Sequence, residues 1–276
     1  MFIKPAFFII GERKCGTSSL YRYLLDHPNV LPCQKKEPQF FTQPPWYIWW
    51  NIKKYYALFP KLGNQGSVTL NWPELDAEGQ LYQESVEFLQ KPGQTYITGE
   101  ASANTFYSAH PRIVKHFLPE VKLILLLRNP VDRAFSHYRM LERFNREGKN
   151  VGRISGFALD MQWEMDRVRK GRKARVLSPG LYVQRLPAWI RVFGRDHLFI
   201  IRTEDLDKKK KAKKIMRDLC QFLELPAWDF SATLQTRYNQ APAEQMSNEI
   251  REILHFFYKP YNQALEDLLG RKMNWD

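Results

Sequence analysis

The chain has 276 residues, and 42 lysine and arginine side chains against 29 aspartate and glutamate side chains give it a net charge of +13. This length is typical of one large globular domain, and a charge of this size favours a polyanionic partner: nucleic acid, an anionic membrane or a sulfated polysaccharide. No run approaches the ~20 apolar residues of a membrane-spanning helix. Three cysteines do not make a disulfide framework, and the six histidines are scattered, so we expect no metal site.

Apolar runs and helical periodicity alternate along the chain. Val121–Leu127, with the sequence VKLILLL, is the clearest central strand. The predicted strands are Ala6–Ile10, Thr95–Thr98, Val121–Leu127 and His197–Arg202, and the predicted helices are Thr17–Asp26, Val131–Asn145, Gln184–Phe193, Lys208–Leu223 and Ser247–Leu269. Thr42–Asn51 and Arg143–Pro179 are predicted to be irregular. The alternation predicts an α/β fold, with a central, mostly parallel sheet flanked by helices, in a single domain over residues 1–276.

The first predicted strand leads into a turn bounded by two glycines. Gly11 and Gly16 have the G-x-x-x-x-G spacing of a phosphate-binding loop, and the helix after them begins with Thr17–Ser19. Because N–H groups and the dipole at a helix N-terminus bind anions, this segment predicts a phosphate cradle. Lys14 stands before Gly16, whereas the lysine of an ATP-binding P-loop follows that glycine. A tight turn without a ligand is the alternative.

The strongest later strand ends in an arginine. P-loop enzymes that use ATP often place an aspartate near this point of a strand, where it helps to hold Mg²⁺. Arg128 would instead repel a metal and attract an anion, and Ser136 follows eight residues later on the next predicted helix. The two residues therefore predict a second phosphate site, separate from the first loop. An ordinary surface ion pair of Arg128 is the alternative.

Two segments carry a resemblance to a known family. Arg13–Thr17 is similar to the 5′-phosphosulfate loop of the carbohydrate (glycosaminoglycan) sulfotransferases that use 3′-phosphoadenosine 5′-phosphosulfate (PAPS), and Arg128–Tyr138 is similar to their 3′-phosphate motif. Gly99–Ala103, Gly180–Tyr182 and Phe257–Asn262 extend the resemblance over nearly the whole chain. It implies a P-loop-NTPase-like sulfotransferase fold, PAPS as donor, PAP as product and no metal. The residues implied to bind the donor are Arg13, Lys14, Cys15, Gly16, Thr17, Ser18, Ser19, Arg128, Ser136, Tyr182 and Arg237, with Tyr238 beside the last.

A lysine-rich segment supplies the candidate base. Sulfuryl transfer to an alcohol needs a base for the hydroxyl proton and cations for the charge on the leaving phosphate, and the segment Lys35-Lys36-Glu37 offers both. In the resembled enzymes the glutamate of a Lys-Glu-Pro segment is the catalytic base, which implies that role for Glu37 beside a catalytic Lys14. The family often has histidine at the position of Gln39. The implied substrate contacts are Lys36, Gln39, Glu100 and Ser102.

Some of these assignments have structural alternatives. Glu37 is also compatible with a solvated loop, and Glu100 with an internal salt bridge. Trp46, Trp49 and Trp50 either stack on sugar rings or belong to the core. An anionic polymer has a candidate path along a basic cluster, unless these side chains are simply solvated. That cluster consists of Arg143, Arg146, Lys149, Arg153, Arg167, Arg169, Lys170, Arg172, Lys173 and Arg175. The lysines at 208–211 and 213–214 are expected to cover an exposed helix face.

The resemblance also implies the acceptor, a hydroxyl of an anionic polysaccharide. Arg13–Thr17 and Gly99–Ala103 are most similar to the segments of N-acetylgalactosamine 4-sulfate 6-O-sulfotransferases, which act on chondroitin sulfate. Heparan sulfate 3-O- and N-sulfotransferases are the near alternatives. A P-loop kinase or ATPase is the rival from another class. The net charge is the only feature that favours a nucleic-acid partner, and the sequence shows no recognised nucleic-acid-binding fold or base-reading helix, so we expect no such partner. The expected compartment is the Golgi lumen, as the catalytic domain of a longer membrane-anchored protein, or else a bacterial cytoplasm.

Overall fold

A computed structural model describes residues 4–61, 65–75, 81–91, 93–235 and 246–275. The chain divides into two compact units. Unit 1 comprises Met1–Glu12, Gly16–Leu126 and Ala188–Gln240, and unit 2 comprises Arg13–Cys15, Leu127–Pro187 and Ala241–Asp276. The single domain over residues 1–276 stays a prediction.

A five-stranded sheet in unit 1 confirms the predicted α/β class. The strands of the described chain are β1 (Phe7–Gly11), β2 (Val30–Leu31), β3 (Gln65–Leu75), β4 (Leu81–Leu89), β5 (Ile97–Ala101), β6 (Lys122–Leu127) and β7 (Leu198–Arg202). Five of them form one sheet in the order β2-β5-β1-β6-β7. The central strand β1 pairs in parallel with β5 and β6, and β2 pairs in parallel with β5. Every residue of β1 is buried, as its unbroken apolar sequence predicts.

The strands β3 and β4 form a separate antiparallel pair that the sequence analysis did not predict. Their register sets Gln65 opposite Leu89 and Val68 opposite Val86. The sequence between Val68 and Trp72 alternates apolar and polar residues, which is the signal that identifies a half-buried strand. That alternation would have predicted β3.

The helices follow the strands in the order that the sequence predicts. They are α1 (Thr17–Leu25), α2 (Pro45–Tyr56), α3 (Thr105–Ser108), α4 (Pro111–Phe117), α5 (Pro130–Arg146), α6 (Phe157–Arg169), α7 (Leu186–Phe193), α8 (Thr203–Leu206), α9 (Lys209–Phe222) and α10 (Asn248–Leu269). The five predicted helices correspond to α1, α5, α7, α9 and α10, with ends that differ by at most two residues. None of the helices in the described part of the chain is long and apolar enough to cross a membrane.

Two stretches predicted to be irregular contain helices, so those predictions were wrong. In Thr42–Asn51 the helix α2 begins at Pro45, because proline is tolerated in the first turn of a helix, where its missing N–H has no partner to lose. In Arg143–Pro179 the helix α6 buries Met161 and Met165, four residues apart on one face, while most of its charged residues stay accessible. The many charged residues of this stretch obscured the helical spacing of its few apolar residues in the sequence.

The strand predicted over Thr95–Thr98 lies further along the chain. β5 begins at Ile97 and continues through Glu100 to Ala101, and both Glu100 and the following Ser102 are buried. A carboxylate inside a strand breaks the apolar pattern from which strand ends are predicted. Gly99 is required within β5, because an added Cβ would clash with the carbonyl oxygen of Phe7 on β1.

Unit 2 is built around three helices. Tyr138 of α5, Met161 of α6 and Tyr258 of α10 are buried in one apolar cluster. Two of the polar side chains buried in the same unit bond to backbone groups. Arg133 donates to the carbonyl oxygen of Val176, and the Glu164 carboxylate accepts the N–H groups of Val176 and Leu177. These bonds fix the segment after α6 against the helices.

Candidate functional site

The N-terminus of α1, after the glycine-bounded turn, lies in unit 1. Gly16 caps the helix with a left-handed φ of 88°, a conformation that glycine adopts without strain. Among the described residues no side chain caps this end, and the first turn of α1 contains no acidic residue. Thr17 is buried, whereas Ser18 and Ser19 are partly exposed. This end of α1 therefore has the chemistry that suits a bound anion.

Arg13 is held by a histidine of unit 2. Its Nη1 atom lies 3.0 Å from Nε2 of His137 on α5. Because a guanidinium can only donate, Nε2 is the acceptor and the imidazole proton belongs on Nδ1. Burial, with the positive charges of Arg133 and Arg13, lowers the pKa of His137 well below its ordinary value. A neutral His137 therefore orients the guanidinium of Arg13.

A second set of contacts in unit 2 fixes the Lys14 backbone. Lys14 has a left-handed φ of 69°, and its carbonyl oxygen accepts a bond of 3.3 Å from Nη1 of Arg128. The Tyr182 hydroxyl donates to the carbonyl oxygen of Arg128 at 2.9 Å and lies 3.7 Å from Sγ of Cys15. The predicted donor-binding residues that these contacts bring together are Arg13, Lys14, Cys15, Arg128 and Tyr182.

The remaining predicted donor-binding residues are placed as follows. Ser136 lies partly exposed on α5, next to His137. This helix begins at Pro130, two residues after Arg128, and the Asn129 side chain caps it by accepting the N–H of Val131 at 2.9 Å. Arg237 and Tyr238 lie outside the described residues.

Glu37 lies in a strained turn of unit 1. Glu37 and Gln39 both have left-handed φ angles, 60° and 54°, which non-glycine residues rarely adopt. One carboxylate oxygen of Glu37 is 2.7 Å from Nζ of Lys36 and the other is 3.1 Å from Nε2 of Gln39. The Lys36 side chain is fully buried, while that of Glu37 is 21% exposed. The turn therefore holds the Glu37 carboxylate in a fixed orientation and partly exposed, while the Lys36 side chain paired with it is buried.

The second predicted carboxylate, Glu100, lies in a hydroxyl network that supports this turn. Its side chain accepts bonds from the Tyr55 hydroxyl at 2.8 Å and the Ser102 hydroxyl at 2.5 Å. Ser102 in turn accepts the backbone N–H of Gln39 at 3.0 Å. Glu100 and Ser102 are both 0% exposed, so neither offers surface to a substrate in this conformation. The residues of unit 1 that the network joins are Lys36, Glu37, Gln39, Tyr55, Glu100 and Ser102.

Burial controls the charge of Glu100. It raises the pKa of this carboxyl from its ordinary 4.5 to about 7, although the bonds from Ser102 and Tyr55 act in the opposite direction. Within the described residues no basic side chain lies within 4 Å of it, so the internal salt bridge considered for Glu100 is not formed.

Sequence reasoning missed two residues of these networks. Tyr55 donates to Glu100 across 45 residues of chain, and His137 accepts from Arg13 across 124. His137 lies within the motif Arg128–Tyr138, so the motif locates this residue but does not identify Arg13 as its partner. No pattern pointed to Tyr55, because a tyrosine in an apolar, aromatic helix is usually part of the core.

Other sequence features fall into place locally. The helix α2 exposes Trp46, Trp49 and Trp50, of which Trp49 packs edge-on against Phe117. The lysines of α9 cover an exposed face, as predicted. Cys15, Cys33 and Cys220 are all buried, and none of the three is part of a disulfide. Among the described residues no three His, Cys, Asp or Glu side chains group into a potential metal site.

Comparison with protein families connects this arrangement to known proteins. A family model described as "Sulfotransferase domain" matches residues 4–255. Human carbohydrate sulfotransferase 15 is 27% identical over 314 aligned residues, which cover 96% of this chain and 53% of that protein. The bifunctional heparan sulfate N-deacetylase/N-sulfotransferase of Drosophila melanogaster is 26% identical and is aligned over 97% of this chain and 26% of its own. The chain thus spans about half the length, or less, of these curated relatives.

A solved structure extends the similarity to the fold. A sulfotransferase from Alicyclobacillus acidocaldarius is 28% identical, with a TM-score of 0.65 over 99% of this chain and 98% of that one. The match confirms the expected sulfotransferase version of the P-loop-like α/β fold.

Proposed function

Since the chain belongs to the sulfotransferase domain family, we propose that it transfers a sulfuryl group from PAPS to a hydroxyl of a polysaccharide and releases PAP. The observation that carries the donor assignment is the contact between Arg128 and the Lys14 carbonyl oxygen. It couples an arginine, where an Mg-ATP enzyme would often have an aspartate, to the loop that resembles a phosphosulfate site.

The donor side of the reaction needs positive charge at two phosphates. We assign the 5′-phosphosulfate to Arg13–Cys15 and the N-terminus of α1, and the 3′-phosphate to Arg128 and Ser136. His137 and Tyr182 fix the groups around them, which reduces the conformational freedom lost on binding. When the bond to sulfur breaks, its electron pair stays on the bridging oxygen. Lys14 would stabilise the negative charge that develops on this oxygen.

The acceptor side needs a base that a sugar hydroxyl can reach. Glu37 would take the hydroxyl proton as the acceptor oxygen attacks sulfur. A carboxylate has about four lone-pair positions, so Glu37 can accept from Lys36, Gln39 and an acceptor hydroxyl together. The strained backbone of the turn supports this role, because residues in rare conformations cluster at functional sites.

Glu100 and Ser102 are proposed to act through the turn instead of touching the substrate. Their chain of bonds runs from Tyr55 to Glu100, then to Ser102 and the N–H of Gln39. This chain holds Gln39 in its left-handed conformation, and the Gln39 side chain orients Glu37.

For the acceptor we propose a glycosaminoglycan, with chondroitin sulfate (6-O of N-acetylgalactosamine 4-sulfate) first and heparan sulfate second. The net charge of +13 suits either polymer. The relatives include a carbohydrate sulfotransferase and heparan sulfate N-sulfotransferases, so both acceptors belong in one screen. Transfer of labelled sulfate from PAPS to defined chondroitin, dermatan and heparan oligosaccharides decides between them. The Golgi lumen and the bacterial cytoplasm both stay predictions.

Calorimetry with PAP and with Mg-ATP tests the donor. We expect PAP to bind and Lys14→Ala and Arg128→Ala each to weaken it at least ~10-fold, since each removes a charge-assisted contact. Lys209→Ala, an exposed lysine of α9, is the matched control and should bind PAP normally. Binding of Mg-ATP without binding of PAP would refute the proposal in favour of a nucleotide kinase or ATPase.

Turnover of two glutamine variants tests the base. Glu37→Gln should lose ~100-fold or more of the transfer rate, the usual contribution of a general base, while PAP affinity is kept. Glu120→Gln, which alters an exposed carboxylate of the same unit, should retain full activity. If Glu37→Gln instead loses PAP binding, Glu37 is structural.

A further inference from the structure

A pocket on unit 2 combines basic and aromatic side chains. Its volume is about 340 Å³, and it lies between α6 and the segments on either side of this helix. Arg153 comes from the segment before α6, Trp163 and Arg167 from α6 itself, and Lys173 and Arg175 from the segment after it. None of these residues belongs to the proposed donor site or to the Glu37 turn.

The four cations of this pocket, Arg153, Arg167, Lys173 and Arg175, keep their charge available. In the described part of the chain none of them has a carboxylate oxygen within 4 Å. Arg167 donates Nε to the carbonyl oxygen of Lys173 at 3.1 Å, and Arg175 donates to the carbonyl oxygens of Val151 and Arg153. Carbonyl oxygens orient a guanidinium without neutralising it, so these arginines are preorganised for an external anion.

The carboxylates in the pocket wall are already engaged elsewhere. Asp160 accepts the Tyr138 hydroxyl at 2.7 Å and the N–H of Ser155 at 2.8 Å. Glu164 is 3% exposed and accepts backbone N–H groups from the segment after α6. Their hydrogen bonds keep both acids in the wall, where they hold the loops and leave the cations to face the solvent.

An exposed tryptophan adds a second kind of contact. Trp163 is 57% exposed, and the guanidinium of Arg167 lies 4.8 Å from the centre of its ring. An aromatic face held beside a cation suits a sugar ring that carries sulfate or carboxylate, because the ring packs on the aromatic face while the anion meets the guanidinium. Among the described residues, no aromatic ring accompanies the lysines of α9 in this way, and Lys211 and Lys214 are paired with Asp205 and Asp218.

We propose that this pocket is an anchoring subsite for a sulfated glycosaminoglycan chain. The inference rests on the proposed function and deepens it, because a polymeric acceptor can be held at one point while a hydroxyl elsewhere on it reacts. Of the basic cluster predicted to contact an anionic polymer, the proposal selects the part of unit 2 in which an aromatic side chain lies beside the cations.

Affinity for a chondroitin sulfate dodecasaccharide, measured by calorimetry in about 0.15 M salt, tests the proposal. The charge variant is Arg153→Gln with Lys173→Gln, and its control is Lys209→Gln with Lys210→Gln, which removes the same charge from unit 1. The aromatic variant is Trp163→Ala, and its control is Trp228→Ala, at a tryptophan that is 45% exposed. We expect each pocket variant to lose affinity ~10-fold and each control less than ~2-fold, as for loss of one or two specific contacts.

Further measurements on the same variants separate the possible failures. Equal losses in pocket and control variants overturn the proposal, since net charge then explains binding. Equal dependence of single-stranded DNA binding on Trp163 also overturns it, in favour of a nucleic-acid surface. If the pocket variants keep both their PAP affinity and their polymer affinity, the proposed subsite alone is refuted. If the parent protein does not bind PAP, the proposed function is refuted. Transfer to a disaccharide should be unaltered in the pocket variants, while KM for the polymer rises.

Discussion

Replacement of Glu100 by glutamine tests whether burial controls this carboxyl. Glutamine keeps the size of the side chain and can still bond to Tyr55 and Ser102, but it does not titrate. In the folded protein the pKa of Glu100 is raised from 4.5 to about 7, chiefly by burial. The folded state therefore binds an extra proton between these pH values, and stability is lost as the pH rises through this window.

The magnitude follows from the two pKa values. A rise from 4.5 to about 7 corresponds to about 3 kcal/mol in the free energy of unfolding once the pH is above both values, and most of that change falls between pH 5 and pH 8. The parent protein should thus lose about 2 to 3 kcal/mol relative to Glu100→Gln over this range. Urea denaturation of both proteins at several pH values measures the difference, in which all other titrating groups cancel.

The control is Glu224→Gln. Glu224 is exposed, and the hydrogen bond from Lys122 lowers its pKa, so it is ionised in both states above pH 5 and its replacement should leave the pH dependence unaltered. Parallel pH profiles of the parent and Glu100→Gln would refute the reasoning, because Glu100 would then not hold its proton more tightly when folded. Tyr55→Phe and Ser102→Ala should shift the window to higher pH, since each hydroxyl stabilises the ionised form.

Variants at three further positions probe the donor loop. His137→Ala removes the acceptor of Arg13, and we expect PAP affinity to fall ~10-fold by calorimetry with little change in Mg-ATP binding; unchanged PAP affinity would show that Arg13 needs no such support. Tyr182→Phe removes the donor to the Arg128 carbonyl oxygen and should cost about 1 kcal/mol of PAP binding, with an intact fold by circular dichroism. Gly16→Ala should destabilise the protein by about 1 to 2 kcal/mol in urea denaturation, whereas Gly16→Asn should be milder, because asparagine tolerates the left-handed φ of 88°; equal losses would indicate crowding instead of strain.

The donor loop could be predicted from sequence because its signals are contiguous. The apolar run of β1, the glycines of the turn and the hydroxyl residues that begin α1 follow one another in the chain. The same holds for β6, Arg128 and the start of α5. In each case the strand, the turn and the helix end are specified by local preferences, so the fold only has to preserve them.

The hydrogen bonds that hold the residues of the two sites in place could not be predicted in this way. Tyr55 reaches Glu100 only because α2 and β5 belong to the same folded unit, and no local rule relates the two positions. The helix α2 was itself concealed by two prolines at its start, and the end of β5 by a buried carboxylate. Polar residues that are buried for function break the patterns from which elements are predicted.

The two carboxylates of unit 1 show why identity alone did not assign their roles. Glu37 and Glu100 are the same residue type and are joined through Gln39 and Ser102, yet their surroundings differ in both exposure and charge. Glu37 keeps 21% of its side chain exposed and is paired with Lys36, so it can meet an acceptor hydroxyl as a carboxylate. Glu100 is fully buried among hydroxyl groups, and a carboxyl there holds its proton more readily and offers no face to a sugar. The difference in surroundings therefore separates a candidate base, which an acceptor hydroxyl can reach, from a buried group that positions it.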